Sequence, residues 1–194
     1  GGVSAIGDAP NFAAVVEALE AEAALQGNAS ILLSAGDNYI PGPFFSAAGD
    51  FSLRQVFRNV LGNNDAREGV GRADIAIMNL IGVDASAVGN HEFDAGTSAF
   101  SDIIGSDIRD SDNDGVLDQP RWLGADFPYL SANLDFSNDG SLSGLFTSSL
   151  LSSTAFKGSL GDLAAAAAAP KIARATLVQR GGETFGVIGA TTQL

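Results

Sequence analysis

The chain has 194 residues, of which 45% are hydrophobic and 17% charged, a composition typical of one globular domain with a buried core. Its formal net charge of −13 favours cations as ligands and disfavours nucleic acid and anionic membranes as partners. The sequence has no cysteine, which excludes disulfides, thiolate metal sites and cysteine nucleophiles. It also has no apolar run near the roughly 20 residues of a membrane-spanning helix.

Helix and strand patterns alternate along the first half of the chain. Apolar residues recur every three or four positions over residues 10–25, which predicts a helix. Residues 30–36 form a short apolar run suited to a buried strand. Residues 51–61 and 74–80 have the patterns of two further helices. Residues 84–88 then form a second short strand.

The second half contains a third strand candidate at residues 127–134. Residues 173–179 and 184–188 flank Arg180-Gly181-Gly182, which is a strong hairpin signal. The segment between the third strand and this hairpin, residues 137–169, is rich in serine, glycine, leucine and alanine. We predict that it forms a surface excursion with one or two short helices. The alternation of strands and helices predicts an α/β fold.

Two polar clusters follow predicted strands, at the end where open α/β sheets bind their ligands. The first contains Asp37, although aspartate is also common in ordinary turns. The second is Gly89-Asn90-His91-Glu92-Phe93-Asp94. Its His91 is the only histidine of the chain. Asp94 follows three residues later, a spacing that puts both side chains on one face of a helical turn, where the carboxylate can orient the imidazole.

Four segments occur in the order in which a known family has them: LLSAGDNYIPGPFF, VGNHEFDAG, FPYLSANLDFS and GGETFGVIGATT. They resemble successive blocks of the 5′-nucleotidase family of the calcineurin-like metallophosphoesterases. The opening of the chain resembles the helix that follows that family's first metal motif. The resemblance implies that residues 1–194 form a partial metallophosphoesterase domain, an α/β/β/α sandwich that holds two divalent metal ions.

The resemblance also implies roles for four residues of the two clusters. Asp37 matches the carboxylate that bridges both metals, and Asn90 matches a ligand of one of them. His91 matches the histidine that stabilises the transition state or protonates the leaving group, and Asp94 matches its partner. The resemblance does not determine the identity of the two metals, which could be manganese, zinc, magnesium or iron. The expected substrates are small phosphomonoesters, above all nucleoside 5′-monophosphates, and other phosphoesters, including 2′,3′-cyclic nucleotides, are not excluded.

Two parts of the family pattern are expected outside this chain. The resemblance places an Asp-x-His motif before the first helix and metal-binding histidines after the last strand, so we expect missing N- and C-terminal parts of a longer parent protein. Asp37 and Asn90 alone cannot fill two coordination shells. We therefore expect the 194-residue chain to hold catalytic metals weakly and to hydrolyse nothing at a useful rate. The segment around residues 48–72 is longer than the family usually has.

A second cation site is predicted within residues 106–121, an insertion that contains Asp110-Ser-Asp112-Asn-Asp114-Gly115-Val116-Leu-Asp118. Calcium loops take oxygens from positions 1, 3, 5, 7 and 9 and need glycine at position 6. The four aspartates and the Val116 carbonyl fit those positions. Arg121 stands where the bidentate acid is expected, so Asp107 or Asp126 would have to replace it. A solvated acidic loop without an ion is the alternative.

A different class of protein is also compatible with these motifs. The chain would then be a non-catalytic, calcium-binding secreted module on a phosphoesterase scaffold. The presence of all four residues of the strand-end clusters favours the enzyme, because a degenerate site is free to lose any of them. Either interpretation predicts a periplasmic or extracellular protein, since a loop of this kind suits millimolar calcium.

Overall fold

The computed structural model describes residues 8–192, so the first seven residues of the predicted opening segment lie outside it. Its helices are α1 (Ala9–Leu25), α2 (Pro43–Ala47), α3 (Arg54–Leu61), α4 (Arg72–Ile81), α5 (Thr97–Ile104) and α6 (Leu163–Ala168). Its strands are β1 (Leu33–Ser34), β2 (Ala85–Ala87), β3 (Tyr129–Leu130), β4 (Phe146–Thr147), β5 (Leu151–Ser152), β6 (Ile172–Ala173), β7 (Ala175–Arg180) and β8 (Glu183–Ile188). The predicted helices and the terminal hairpin are confirmed, and single 3₁₀ turns lie at Phe51–Leu53, His91–Phe93, Ser143–Leu145 and Ser153–Phe156.

Two sheets form the centre of the fold. The first has five parallel strands in the order β1-β2-β3-β6-β4, and the second has the order β5-β7-β8. Ser34 pairs with Ser86, and Ser86 with Tyr129, so the first three strands end side by side. This register brings the segments that follow β1 and β2 to the same edge of the sheet.

The first and third strands are shorter than predicted. Residues 30–36 and 127–134 each supply only two ladder residues. The ladder of β1 ends because Gly36 and Asp37 both have positive φ, of 96° and 55°, a conformation that leaves the extended region. The apolar run correctly locates the strand, but the turn chemistry at its end determines its length.

The core lies in two layers on either side of the five-stranded sheet. On one face, Phe100 and Ile104 of α5 and Ile75 of α4 pack with Tyr129 and other buried residues. The opposite face packs on the second sheet, in a cluster of Ala85, Leu130, Phe156 and Ala173 with the partly buried Leu151 and Val187. The order helix, sheet, sheet gives the mixed α/β architecture that was predicted, and a further helix layer remains a prediction.

No helix within residues 8–192 has the length and apolar character needed to cross a membrane.

Candidate functional site

The two polar clusters meet at the ends of β1 and β2. A Cβ atom on Gly36 would lie 2.5 Å from the Gly89 nitrogen, and one on Gly89 would lie 2.1 Å from Asp37 Oδ1. Neither distance is possible for a real Cβ, so both positions require glycine. The two glycines let one backbone approach the other closely enough for the clusters to share hydrogen bonds.

Asp37 is held by contacts from the other cluster. Its Oδ1 accepts a hydrogen bond from the His91 backbone N–H at 2.9 Å, and its own N–H donates to Glu92 Oε2 at 3.0 Å. Its φ of 55° is a left-handed conformation that few residues other than glycine adopt. Strained backbone of this kind persists where the surrounding contacts determine it, and it concentrates at functional sites.

His91 and Asp94 form the pair that their spacing predicts. His91 Nδ1 lies 2.6 Å from Asp94 Oδ2, and both side chains are 37% exposed. The hydrogen bond to Asp94, assisted by the charges of Asp94, Asp37 and Glu92, raises the pKa of His91 above its ordinary value. Because Nδ1 is engaged by the carboxylate, the imidazole has Nε2 left for other chemistry.

Glu92 is a site residue that the sequence analysis did not assign. It is fully buried, and its carboxylate accepts backbone N–H groups of Asp37 at 3.0 Å, Asn38 at 2.8 Å and Gly89 at 2.7 Å. Burial raises the pKa of Glu92, whereas the three donors act in the opposite direction. Glu92 therefore ties the two strand-end loops together from beneath. Its position directly after His91 was the available signal, but an acid in a polar cluster is usually solvent-exposed.

A second layer of polar side chains supports the loop that carries Asp37. Asn38 Nδ2 donates to Ser86 Oγ at 2.7 Å and to the Tyr129 hydroxyl at 2.9 Å. The Tyr39 hydroxyl donates to the backbone carbonyl of Glu92 at 3.1 Å. Burial raises the pKa of both tyrosines, so they remain neutral donors and acceptors. The loop is thus fixed to the sheet as well as to the second cluster.

The oxygens available at this edge suit a hard divalent cation. Within residues 8–192, neither Asp37 Oδ2 nor the side chain of Asn90 takes part in a hydrogen bond. Carboxylate and amide oxygens are ligands of Mg²⁺ and Mn²⁺. Asp37 and Asn90 therefore fit a metal ion, but the described residues bring no further acid or imidazole to complete a group of three ligands here.

The described residues do contain one such group, at the predicted calcium loop. Ligand atoms of Asp110, Asp112 and Asp114 all lie within 4.8 Å of one another. Asp118, the fourth aspartate of the predicted ligand set, is outside that group, and its Oδ2 accepts the Ser111 backbone N–H at 2.9 Å. Gly115 has φ of 87°, which is the turn that this position requires.

The two candidates for the missing acid of this loop are engaged elsewhere. Asp107 accepts from Arg109 Nε at 2.6 Å and lies 3.5 Å from Arg72 Nη2. Asp126 lies 3.3 Å from Lys157 Nζ. Each carboxylate would have to leave or share its ion pair to serve as a ligand in place of Arg121, so that role stays a prediction for both.

Comparisons with known proteins agree with the motifs over part of the chain. No protein-family model matches it. A stretch of 75 residues is 39% identical to the trifunctional nucleotide phosphoesterase protein YfkN of Bacillus subtilis (strain 168), covering 37% of this chain and 5% of that protein. This match confirms the predicted resemblance to nucleotide phosphoesterases over the stretch that it covers.

A solved structure gives a weaker comparison. The 5′-nucleotidase precursor from Thermus thermophilus has a TM-score of 0.47 and 24% identity, over 91% of this chain and 22% of that chain. A likeness at that TM-score carries no argument about fold or function. This chain spans only a small part of the length of both proteins.

Proposed function

We propose that this chain is part of a 5′-nucleotidase-type metallophosphoesterase, which hydrolyses phosphomonoesters, above all nucleoside 5′-monophosphates, through a two-metal site. One observation supports the proposal most directly. The ends of β1 and β2 hold Asp37, Asn90 and the His91–Asp94 pair together, with the His91 N–H on Asp37 Oδ1 at 2.9 Å. Core packing does not require an exposed imidazole–carboxylate pair beside a strained aspartate.

Each side chain has a defined task in this proposal. Asp37 and Asn90 would hold the metals. Bound divalent ions would supply charge neutralisation for the phosphoryl oxygens and a more acidic water near neutral pH. Asp94 holds His91 Nδ1 at 2.6 Å and favours its protonated form. His91 Nε2 would then donate a proton or a hydrogen bond to the oxygen on which charge develops.

The test is phosphatase activity of the full-length parent on AMP and p-nitrophenyl phosphate, in manganese, magnesium or zinc. We expect His91→Ala to lower kcat by about 10²–10⁴-fold, the usual effect of losing a positioned acid–base or charge-stabilising group. Asp94→Asn should cost about 10–100-fold, as for other residues that orient a functional histidine. Glu17→Gln, on the exposed part of α1, is the matched control. If the wild-type protein hydrolyses neither substrate with any of the three metals, the proposal is wrong.

We further propose that the 194-residue chain alone binds the catalytic metals weakly and is inactive. Asp37 and Asn90 supply two side-chain ligands, whereas two octahedral or tetrahedral ions need several more. Calorimetric titration of this chain with manganese should give no tight stoichiometric binding. Two tight sites that disappear in Asp37→Ala would contradict this proposal.

A calcium site at Asp110, Asp112, Asp114, the Val116 carbonyl and Asp118 is a separate proposal. The mutual approach of three carboxylates within 4.8 Å supports it, because their repulsion is relieved by a cation. Calcium should raise the melting temperature of the wild type and not that of Asp112→Asn. If calcium raises the melting temperature but the parent protein has no phosphatase activity, a non-catalytic calcium-binding module explains the chain better than an enzyme does. A periplasmic or extracellular location also remains a proposal.

A further inference from the structure

A cavity of about 570 Å³ is lined by residues other than those of the candidate site, and Ala95, which follows Asp94, is part of its wall. Its walls come from the loop before α4, from α5 and from residues 105–109. Asp37, Asn90, His91 and Asp94 do not line it. Its volume falls within the range of small-molecule sites, which combine apolar walls with a few polar groups.

Arg72 is the polar group that distinguishes this cavity. Its side chain is only 12% exposed, and burial lowers the pKa of Arg72. Arg72 is also the first residue of α4, where the helix dipole is positive and disfavours another cation. A buried guanidinium needs acceptors for its five N–H donors, so its position raises the question of what it binds.

The contacts of Arg72 among the described residues are few and long. Nη2 lies 3.5 Å from Asp107 Oδ2, and Nη1 donates to the Arg67 carbonyl at 3.3 Å. Two of the three carboxylates in the wall have closer partners, and the third, Asp102, is exposed and acts on Arg72 only through its charge. Glu68 accepts two hydrogen bonds from the Arg54 guanidinium, at 2.8 and 2.5 Å. Asp107 accepts a hydrogen bond from Arg109 at 2.6 Å. The Arg72 guanidinium also lies 5.7 Å from the centre of the buried Trp122 ring. Three of its five N–H donors have no acceptor among the described residues.

Two glycines before Arg72 let the backbone pass close to the side chains of the cavity wall. A Cβ on Gly69 would lie 2.6 Å from Arg72 Cδ, and one on Gly71 would lie 2.7 Å from side-chain atoms of Phe45 and Ile103. The two glycines thus let the loop pass close to these three side chains. Phe45 and Ile103 are buried and give the cavity an apolar wall beside the cation.

We propose that this cavity, which we call the Arg72 pocket, binds a small molecule that carries a phosphate or carboxylate group. The anion takes the free donors of Arg72, and the body of the ligand contacts Phe45 and Ile103. An anion in this position relieves the buried charge of Arg72 and the unfavourable interaction of that charge with the start of α4.

The experiment is a titration of the ¹⁵N-labelled chain, freed of metal with EDTA and then desalted, with inorganic phosphate, benzoate and uncharged benzyl alcohol. EDTA removes metals, so phosphate held through metal ions at Asp37 does not contribute. We expect phosphate or benzoate to shift the amide signals of Gly69, Arg72 and Ile103 with a Kd of about 1 mM, and benzyl alcohol to bind at least about tenfold more weakly. If benzyl alcohol binds as well as benzoate, or neither anion shifts these signals, the proposal is wrong.

Variants separate the Arg72 pocket from the candidate site. Arg72→Met should lower anion affinity by at least about tenfold. Arg72→Lys should lower it by less, because lysine keeps the charge but cannot make the two parallel hydrogen bonds of a guanidinium. Ala99→Leu narrows the cavity from α5 and keeps the guanidinium of Arg72. It should also weaken binding, which covers the case that Arg72→Met does not fold. Asp37→Asn should leave binding unchanged. The assignment would be overturned if Asp37→Asn lost as much anion affinity as Arg72→Met, or if Ala99→Leu lost none.

Discussion

Replacing Glu92 with glutamine tests whether one buried carboxylate holds the two strand-end loops together. Oε2 of Glu92 accepts the Asp37 and Gly89 N–H groups at 3.0 and 2.7 Å, and Oε1 accepts that of Asn38 at 2.8 Å. Glutamine has the same shape but only one acceptor oxygen. In either orientation of the amide, its NH₂ faces at least one backbone N–H, so a buried donor loses its acceptor.

The magnitude follows from these contacts. A hydrogen bond to a charged group contributes about 1.5–3 kcal/mol, and a buried donor without an acceptor costs about 1–3 kcal/mol. Removal of the buried charge offsets part of this loss, since burial raises the pKa of Glu92. We expect Glu92→Gln to lower the free energy of unfolding by about 2–3 kcal/mol and the melting temperature by about 5–10 °C.

Urea unfolding of the 194-residue chain is the assay, followed by the fluorescence of its single tryptophan, Trp122, which is buried. Amide signals of Asp37, Asn38 and Gly89 should shift in the same variant, because each loses or weakens its acceptor. Glu17→Gln, on an exposed position of α1, should change the unfolding free energy by less than about 0.5 kcal/mol. If Glu92→Gln is as stable as Glu17→Gln, the carboxylate does not hold the loops.

Two further predictions concern stability. Gly89→Ala should cost about 2–4 kcal/mol in urea unfolding, because the new Cβ would lie 2.1 Å from Asp37 Oδ1. Gly186→Ala, where a Cβ would meet nothing within 4 Å, is its control and should be neutral. Burial lowers the pKa of Lys171 from 10.5 to about 8, so the folded state binds fewer protons than the unfolded state between these values. Stability should therefore rise as the pH increases across that window, by at most about 3 kcal/mol. Lys171→Met should lose this rise, measured by urea unfolding at about pH 7.5 and about pH 10; an equal rise in both proteins would contradict the prediction.

Sequence reasoning succeeded for the fold where local patterns and tertiary structure agree. Helix α1 has the expected start, because Asp8 Oδ1 accepts the Asn11 N–H at 2.9 Å, and Gly27 with φ of 75° follows its end. Strand lengths were predicted less well, because β1 ends where Asp37 adopts a left-handed conformation. Contacts from the distant residue Glu92 hold that conformation, and no local pattern reports them.

The candidate site was predictable to the extent that its residues are adjacent in sequence. His91 and Asp94 are three residues apart and meet at 2.6 Å, as helical-turn spacing predicts. Lys171 shows the limit of such reasoning. Its side chain is buried, and its Nζ donates to the carbonyls of Leu123, Ala125 and Phe156 at 3.1, 2.7 and 2.9 Å. A lysine is normally exposed, and only the folded chain brings those carbonyls together.

The charge of the candidate site connects its architecture to its chemistry. Three carboxyl groups, of Asp37, Glu92 and Asp94, lie near one imidazole and raise the pKa of His91, so acidic groups outnumber basic ones in the site. Within residues 8–192, none of the ion pairs brings a lysine or arginine to these carboxylates. A phosphate dianion would be repelled by such a site unless bound cations reverse the local potential. For the function proposed here, divalent metal must therefore enable substrate binding as well as the chemical step. In the parent enzyme, metal depletion should raise KM as well as lower kcat.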